Sequence, residues 1–361
     1  MTASTSLNRS PLHDAHVALG GRIVPFAGWE MPVQFTGIVD EHLAVRSHAG
    51  VFDISHMGQL LVTGNGVLNW LNKLLTNNAK KLAVGAGQYT LMLNEKGGVI
   101  DDLIIYRTGQ SEVFMVVNAS KIEEDVDWLC AHLDPGISLE DISEETAALA
   151  IQGPDSAAIA AKVLEGLELP ERNGITARDP YYLCRTGYTG EDGFEFFYPA
   201  FEGKLWYDAF VEAVKECGGK VCGLGARDSL RLEMGYPLNG QDLSPDHTPL
   251  QAGLGFFVDL GKPFIGSEVL LKEKAEGLQR KLVGLLMTEK GPPPRHGYTV
   301  SHEGKVVGEL ASAGLSPSLN QGIGMAYLPI ELTTIGQKLS IDIRGKSYAA
   351  EVVKKPFYKR S

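Results

Sequence analysis

The sequence predicts an α+β fold, with a mixed body of about 275 residues followed by a small antiparallel β domain of about 80 residues. Helix-like and strand-like segments do not alternate regularly along the body, which argues against a doubly wound parallel sheet. From Leu282 onward the chain changes to short alternating runs broken by Gly, Pro and Asn, as in an antiparallel barrel or sandwich. With 44% hydrophobic and 21% charged residues, the composition is that of a globular protein.

Short strands are predicted in the first part of the body. Apolar runs bounded by turn residues place them at 59–63, 88–94, 99–106 and 112–118. Gly109, Gln110 and Ser111 supply a turn between the last two, so we expect those strands to form a hairpin.

The first predicted helix follows this hairpin. Ser120 can cap it, and Glu123 stands three residues later, as in a capping box. Its expected apolar face consists of Ile122, Val126, Leu129 and Leu133.

Three more helices are predicted before the β domain. One follows Gly153-Pro154, one covers roughly 201–217, and a short one follows Gly225. The middle helix is expected to bury a stripe made of Leu205, Ala209, Ala213, Val214 and Cys217. The charged stretch 273–280 is the expected linker to the β domain.

Charge and hydropathy exclude several classes of protein. The formal charge is −11, from 33 Lys and Arg against 44 Asp and Glu, and an acidic surface repels nucleic acid. No apolar run approaches the roughly 20 residues that cross a bilayer, so we expect no membrane partner. The first ten residues resemble neither a signal nor a transit peptide, which favours a cytoplasmic location.

Metal, nicotinamide and nucleotide chemistry find no support in the motifs. The four cysteines form no C-x-x-C pair, and the pair His13 and His16 has no third ligand nearby, so we expect no metal. Segment 223–228 breaks G-x-G-x-x-G at its last position, and Ser340 stands where a P-loop requires its first Gly.

The first informative segment is GGVIDDLIIY at 97–106. Successive side chains of a strand face opposite sides, so Asp101 and Asp102 point apart, each among apolar neighbours. A carboxylate in an apolar stripe is costly unless it has a partner, which makes the pair a candidate site. The alternative is an Asp at a strand entry that turn amides satisfy.

The second segment is RTGYTGEDGFE at 185–195. Its glycines allow the backbone to approach a flat ligand, Tyr188 offers a stacking face, and Glu195 offers a bidentate acceptor for an amino-pyrimidine edge. The alternative is a tight hairpin with a solvated acidic loop.

The third segment is GLGARDSLRLE at 223–233. Arg227 would lie near a helix N-terminus, where the helix dipole disfavours a positive charge. We therefore expect it to bind an anionic partner. The alternative is a pairing with Asp228 or Glu233.

Together these three segments resemble the signature set of the aminomethyltransferase family, the T-proteins of the glycine cleavage system. The resemblance extends over nearly the whole chain. It includes SPLHDAHVALGGRIVPFAGWEMPVQF near the start, VFDISHMGQ at 51–59, LNGQDL and TPLQAGLGF within 238–256, and SPSLNQGIGMAYL and KKPFY near the end.

The resemblance implies three domains around a central channel that binds folate: two discontinuous α+β domains and a C-terminal antiparallel β barrel. The first domain would combine 1–50 with about 141–240, the second 51–140 with about 241–276, and the barrel would cover 277–361.

The resemblance also implies a reaction. Family members move the methylene carbon of an aminomethyl-dihydrolipoyl arm, carried by the partner H-protein, to tetrahydrofolate, and ammonia is released. Asp102 matches the key acid of the family, and we expect it to orient the folate, to stabilise positive charge on the transferred carbon and to relay a proton. The matching folate contacts are Met57, Tyr89, Asn118, Tyr188, Glu195 and Arg227. No metal is implied, and the protein is expected to be a monomer.

Other members of this family provide the alternatives. A sulfonium demethylase usually lacks the aspartate found here at Asp102, a non-enzymatic folate-binding factor for iron–sulfur assembly carries a Lys-Gly-Cys motif not found here, and a sarcosine-type oxidoreductase needs a flavin domain for which 361 residues leave no room. The chain departs from its relatives at Phe256, where they often have Trp, and in the short tail after Tyr358.

Overall fold

The structure, a computed structural model, describes residues 7–360. Its helices are α1 His13–Ala18, α2 Ile38–Ser47, α3 Val67–Leu74, α4 Ile122–Ala131, α5 Ser156–Val163, α6 Gly203–Glu216, α7 Leu224–Met234 and α8 Ser267–Glu276. Its strands are β1 Asn8–Arg9, β2 Arg22–Phe26, β3 Trp29–Gln34, β4 Gly50–Asp53, β5 Gly58–Gly64, β6 Gly87–Leu93, β7 Val99–Arg107, β8 Glu112–Val117, β9 Ile137–Asp141, β10 Thr146–Gln152, β11 Ile175–Arg178, β12 Tyr181–Cys184, β13 Gly193–Pro199, β14 Lys220–Val221, β15 Arg280–Met287, β16 Thr299–His302, β17 Lys305–Ser316, β18 Gln321–Pro329, β19 Lys338–Ile343 and β20 Lys346–Val353. Within this span, no helix combines the length and hydropathy needed to cross a bilayer.

The chain forms two compact units, and each is discontinuous in sequence. The first unit contains the described residues up to 70 together with 80–88 and 103–228. The second contains 71–79, 89–102 and the described residues from 229 onward. The division into three domains that the family resemblance implies remains a prediction.

A six-stranded sheet forms the core of the first unit, in the order β11-β12-β13-β10-β4-β14. Alternation along β10 and β13 places Leu149 opposite Phe196 and Ile151 opposite Phe194, and these side chains pack in one cluster with Phe210 of α6. Burying each such side chain contributes about 1.5–3 kcal/mol. The residues between them, including Glu195, face the other side of the sheet.

The predicted hairpin at 99–118 is confirmed. The later part of β7 pairs antiparallel with β8, from Ile104 opposite Val116 to Arg107 opposite Val113. On its other edge β8 pairs with β5, which in turn pairs with β9. Apolar side chains of β8, such as Phe114, are fully buried.

The second unit contains an apolar cluster and a barrel. The cluster joins Leu91, Leu93 and Val99 to Phe264 and Leu270. The barrel is closed and antiparallel, in the order β15-β18-β17-β16-β19-β20. Its interior is filled by alternate residues of each strand, among them Leu285, Val300, Leu310, Leu328, Ile341 and Val352. The predicted α+β class with a C-terminal antiparallel barrel is thus confirmed.

Three local predictions were wrong. Helix α4 has Lys121 as its N-cap residue with no side-chain cap, because Ser120 lies in a 3-10 turn at Ala119–Lys121, and Leu133 lies beyond the helix and is exposed. On α6, Ala213 and Val214 are buried as predicted, but Leu205 is 65% exposed, and Tyr207, Phe210 and Val211 make up the rest of the buried face. Half of the predicted linker at 273–280 is the end of α8, and only residues 277–279 lie between α8 and β15.

Candidate functional site

Asp102 and its neighbour Asp101 lie on β7, on opposite faces as predicted. Asp101 is fully buried, whereas Asp102 is partly exposed. Within the second unit the Tyr89 hydroxyl, on β6, donates a hydrogen bond of 2.8 Å to Asp102 Oδ2. The structure therefore brings together two of the residues that the family resemblance nominates.

The environment of Asp102 favours its neutral form more than water does. Burial raises its pKa to about 7, and the negative charge of Asp101 adds to this, while hydrogen bonds from Tyr89 and Asn239 oppose it. Because Asp101 and Asp102 interact, their protons belong to the pair. A carboxyl group that titrates near neutral pH is suited to both accepting and donating a proton.

The loop 244–247 fixes the start of β7, and the glycines of GGVIDD make this possible. The amide of Val99 donates to the carbonyl oxygens of Ser244 and His247, at 3.1 and 3.0 Å. A Cβ on Gly98 would lie 1.7 Å from the carbonyl oxygen of Pro245, so only glycine fits.

Two further side chains of the second unit support the Tyr89–Asp102 pair. The ring of Phe257 packs edge-on against Tyr89, with centroids 4.6 Å apart. Asn239, which sequence reasoning did not nominate, donates from Nδ2 to the Ile100 carbonyl oxygen at 3.2 Å. It lies within LNGQDL, one of the segments that carry the family resemblance.

In the first unit, buried polar contacts hold the loop 185–195 in shape. Arg46 of α2 donates to the Thr189 carbonyl oxygen at 2.8 Å and to Glu191 at 2.9 Å. Gln152, at the end of β10, accepts from the Thr189 hydroxyl at 2.8 Å and donates to the Thr186 carbonyl oxygen at 3.0 Å. β12 and β13 form a hairpin around this loop, as the alternative has it, but Glu191 is buried and paired with Arg46 rather than solvated.

Glu195 lies on β13 with 8% of its surface exposed. Its Oε2 accepts a hydrogen bond of 2.7 Å from the Thr186 hydroxyl. Burial raises the pKa of Glu195, while the Thr186 bond and the positive charge of Arg227 lower it.

Arg227 lies in the first part of α7, and its guanidinium stands 5.0 Å from the ring centroid of Tyr188, a cation–π contact. Burial lowers the pKa of Arg227, and the charge of Glu195 opposes this. One face of Tyr188 is therefore covered by Arg227 rather than open for stacking. The structure brings Tyr188, Glu195 and Arg227 together.

The start of α7 is held by a buried carboxylate that sequence reasoning missed. Glu41 of α2 accepts hydrogen bonds from the amides of Phe35, Thr36 and Gly37 through Oε1, and from the amide of Gly223 through Oε2 at 2.9 Å. The helix that carries Arg227 is therefore tied to α2.

Met57 and Asn118, the remaining predicted contacts, are partly exposed in the first unit. Met57 lies in the turn between β4 and β5, and Asn118 directly follows β8. Beside Met57, His56 is buried, and its Nδ1 has no hydrogen-bond partner among residues 7–360. Burial and the charge of Arg227 lower the His56 pKa to about 4, so the ring is neutral.

The predicted histidine pair has structural contacts. His16 Nε2 lies 2.7 Å from Asp53 and its Nδ1 lies 3.1 Å from the Tyr207 hydroxyl, all buried, while His13 faces Glu30. Between residues 7 and 360, no group of three His, Cys, Asp or Glu residues could hold a metal ion.

Phe256 is 92% exposed and lines a cavity of about 850 Å³ in the second unit, together with Leu250, Leu271 and Lys274. At the chain end, the amides of Phe357 and Tyr358 donate to the Glu233 carbonyl oxygen. The tail is thus bound to the C-terminal end of α7.

Comparisons with known proteins agree with this architecture. Residues 12–262 match the family model described as GCVT N-terminal domain, and residues 280–359 match the glycine cleavage T-protein C-terminal barrel domain. A curated aminomethyltransferase from Picosynechococcus sp. is 45% identical over 99% of both chains, and one from Geobacillus thermodenitrificans is 45% identical over 98% of this chain and 99% of its own. The crystal structure of the glycine cleavage system aminomethyltransferase T from Bartonella henselae has a TM-score of 0.92 at 33% identity, covering 98% of each chain.

Proposed function

We propose that this chain, which belongs to the glycine cleavage T-protein family and is an aminomethyltransferase of the glycine cleavage system, uses tetrahydrofolate as the acceptor of the one-carbon unit. The donor would be the aminomethyl-dihydrolipoyl arm of a partner H-protein. The observation that carries this proposal is the carboxyl group of Asp102, partly exposed, hydrogen-bonded to Tyr89 and poised to titrate near neutral pH.

The balance of the reaction shows why such a carboxyl group is useful. The carbon leaves one sulfur and one nitrogen of the arm and bonds to two nitrogens of the folate. Two N–H protons of the folate are lost, and one proton is gained by each of the departing thiol and ammonia. Tetrahydrofolate supplies the two nucleophilic nitrogens, and the protein has to move two protons.

Asp102 has two roles in this proposal. As a carboxylate it stabilises the positive charge that develops on the transferred carbon, and at its raised pKa of about 7 it takes up and returns a proton. The hydrogen bond that Tyr89 donates to Oδ2 holds the carboxyl group of Asp102 in a fixed orientation. Holding both substrates in line supplies a further part of the rate.

The polar groups of the first unit fit a folate. Glu195 offers carboxylate oxygens to the amino-pyrimidine edge, which presents adjacent N–H donors. Arg227 is a partly buried cation near Glu195, which suits an anionic or electron-rich ligand. Met57, Asn118 and Tyr188 are the remaining proposed contacts, and a metal ion has no role in the reaction.

The test is an ammonia-release assay with aminomethylated H-protein, in the presence and absence of tetrahydrofolate. Ammonia release that depends on folate, and that Asp102→Asn slows by about 10²- to 10⁴-fold while Asp246→Asn leaves it unchanged, would support the proposal. Asp246 is a suitable control because it is an exposed aspartate of the same unit. Release at the same rate without folate would contradict it.

The cellular setting completes the proposal: a cytoplasmic monomer that meets H-protein transiently. Size-exclusion chromatography with light scattering, with and without lipoylated H-protein, tests this. A stable homodimer in the absence of H-protein would contradict the monomer.

A further inference from the structure

Two hydroxyl groups stand in line behind Glu195 in the first unit. The Tyr106 hydroxyl, on β7, lies 2.7 Å from Thr186 Oγ1, and Thr186 Oγ1 lies 2.7 Å from Glu195 Oε2. Tyr106 is fully buried and Glu195 is nearly so. Water cannot readily replace a lost partner in such a place, so each bond has a large effect on the geometry.

The number of available protons determines which group donates in each of these two hydrogen bonds. Each hydroxyl carries one proton, and a carboxylate only accepts, so Thr186 donates to Glu195. Thr186 then has only lone pairs for Tyr106, and Tyr106 must donate to it. Burial raises the Tyr106 pKa well above its ordinary value, so this donor keeps its proton.

The surrounding protein fixes both hydroxyl groups. Gln152 Nε2 donates to the Thr186 carbonyl oxygen at 3.0 Å, and a Cβ on the next residue, Gly187, would lie 1.9 Å from Gln152 Oε1. The Tyr106 ring stacks on Phe114, with centroids 6.3 Å apart. The donors are therefore in position before any ligand binds.

The second oxygen of Glu195 is in a different situation. Among residues 7–360, no side chain donates a hydrogen bond to Oε1. Oε2 can accept more than one hydrogen bond, so the Thr186 bond also leaves it able to accept another. The carboxylate is held at one oxygen and can still receive two donors.

We propose that Tyr106 and Thr186 are positioning residues, whose two hydrogen bonds fix the Glu195 carboxylate for a ligand edge with two adjacent N–H donors. This rests on the proposed function, in which that edge is the amino-pyrimidine of the folate. Neither residue touches the ligand; they set the plane in which Glu195 receives it.

The hydrogen bonds from Tyr106 to Thr186 and from Thr186 to Glu195 also affect the protonation of Glu195. The charged and titratable groups around Glu195 are Arg227 of α7, whose charge lowers its pKa, and the buried Cys184 and Tyr106, whose own pKa values are raised so that both stay neutral. The Thr186 bond lowers the Glu195 pKa, so its loss raises it. A protonated Glu195 would point an O–H at the N–H donors of the ligand, which weakens binding.

The variants Thr186→Val, Thr186→Ser and Tyr106→Phe test this positioning role. Thr108→Val is a matched control, because Thr108 donates a hydrogen bond of the same 2.7 Å length to a glutamate, Glu112, at the turn between β7 and β8. The readout is the Kd for tetrahydrofolate by calorimetry, from pH about 5.5 to about 8, alongside the melting temperature.

We expect Thr186→Val to raise the Kd by about 10- to 100-fold and to move the acid loss of binding to higher pH. Thr186→Ser should keep the wild-type Kd and pH profile. Tyr106→Phe should shift the Kd and the pH profile in the same direction as Thr186→Val but by less, and Thr108→Val should change neither quantity. If Thr186→Val proves unstable, the pH shift in Tyr106→Phe decides the question.

Wild-type binding together with an unshifted pH profile in both Thr186→Val and Tyr106→Phe would overturn the positioning role and leave the proposed function intact. A loss of affinity that follows the melting temperature and that Thr186→Ser does not rescue would also overturn it. If wild-type protein does not bind tetrahydrofolate, the proposed function itself fails.

Discussion

Asp102 in the second unit and Glu195 in the first are both carboxyl groups whose pKa is raised by burial, but their neighbours differ in sign. Asp102 stands beside the buried carboxyl of Asp101, and Glu195 stands near the guanidinium of Arg227. A like charge promotes the neutral acid and an opposite charge promotes the carboxylate. We infer that Asp102 is suited to moving protons, whereas Glu195 is suited to remaining charged and accepting hydrogen bonds.

Asp102 and Glu195 also differ in the side chains that donate hydrogen bonds to them. Asp102 has the hydroxyl of Tyr89 on one oxygen, next to an edge-on ring of Phe257. Glu195 has a chain of two donors behind it, which ends in the core. Two carboxyl groups whose pKa burial raises thus suit different chemical roles, because their neighbours differ.

The largest expected effect comes from exchanging the two carboxyl groups for amides. Asp102→Asn should lower kcat by about 10²- to 10⁴-fold with little change in folate affinity, because it removes a proton carrier. Glu195→Gln should mainly raise the folate KM, because it removes binding. Steady-state kinetics and folate calorimetry on both variants measure this split, and equal effects on kcat in the two would contradict the assigned roles.

The next effect should be a pair of opposite pH shifts around Asp102. Tyr89→Phe removes a hydrogen bond that lowers the Asp102 pKa, so that pKa rises above about 7 and the acid limb of kcat moves to higher pH. Asp101→Asn removes the charge that raises it, so the limb moves to lower pH. A pH–rate profile of each variant is the measurement; shifts in the same direction would refute the account.

A smaller effect should be visible in the first unit without any substrate. Arg227→Met removes the charge that lowers the His56 pKa of about 4, so this pKa should rise, although burial will still keep it below the ordinary value. NMR titration of the ring protons reports it. Arg178→Met, at an exposed arginine of the same unit, is the control, and no change at His56 in Arg227→Met would contradict the electrostatic link.

The smallest expected effect concerns stability in acid, and uses a third buried carboxyl for comparison. Burial would raise the Asp53 pKa, but His16, Ser10 and Ser55 lower it to about 2. Its folded pKa is below the unfolded one, so its stabilisation is present above about pH 4 and is lost as the pH falls toward 2. Asp53→Asn should therefore show a flatter decline in melting temperature over that range, and an unchanged slope would count against this role.

Local sequence patterns predicted some elements of the fold correctly and others wrongly. The hairpin, the barrel and the class were predictable because strand alternation and turn residues are local signals. The burial of Leu205 was predicted wrongly because a 3.6-residue period fits more than one face of a helix. Contacts with the sheet bury Tyr207 and Phe210 beside the correctly predicted Val214. Ser120 does not cap α4, because it lies within a 3-10 turn that precedes the helix.

The candidate site shows the same limit. The motifs predicted roles for Asp102, Glu195 and Arg227. They did not single out Asn239, His56 or Thr186, although all three lie within the segments that carry the family resemblance. A motif says which residue types recur together, and only their positions in space show which of them hydrogen-bond. The roles of Met57, Asn118 and the other contacts stay predictions for the experiments above.

By itself the sequence determined the family, the class of fold and the residues able to do the chemistry, because these depend on residue type, order and local periodicity. Tertiary structure alone decided that Asp101 raises the pKa of Asp102, that Arg227 covers Tyr188, and that Tyr106 reaches Glu195 through Thr186. The reason is physical: a charge or a hydroxyl acts over a few ångströms of space, and residues 106, 186 and 195 come within that range only once β7 and β13 have folded.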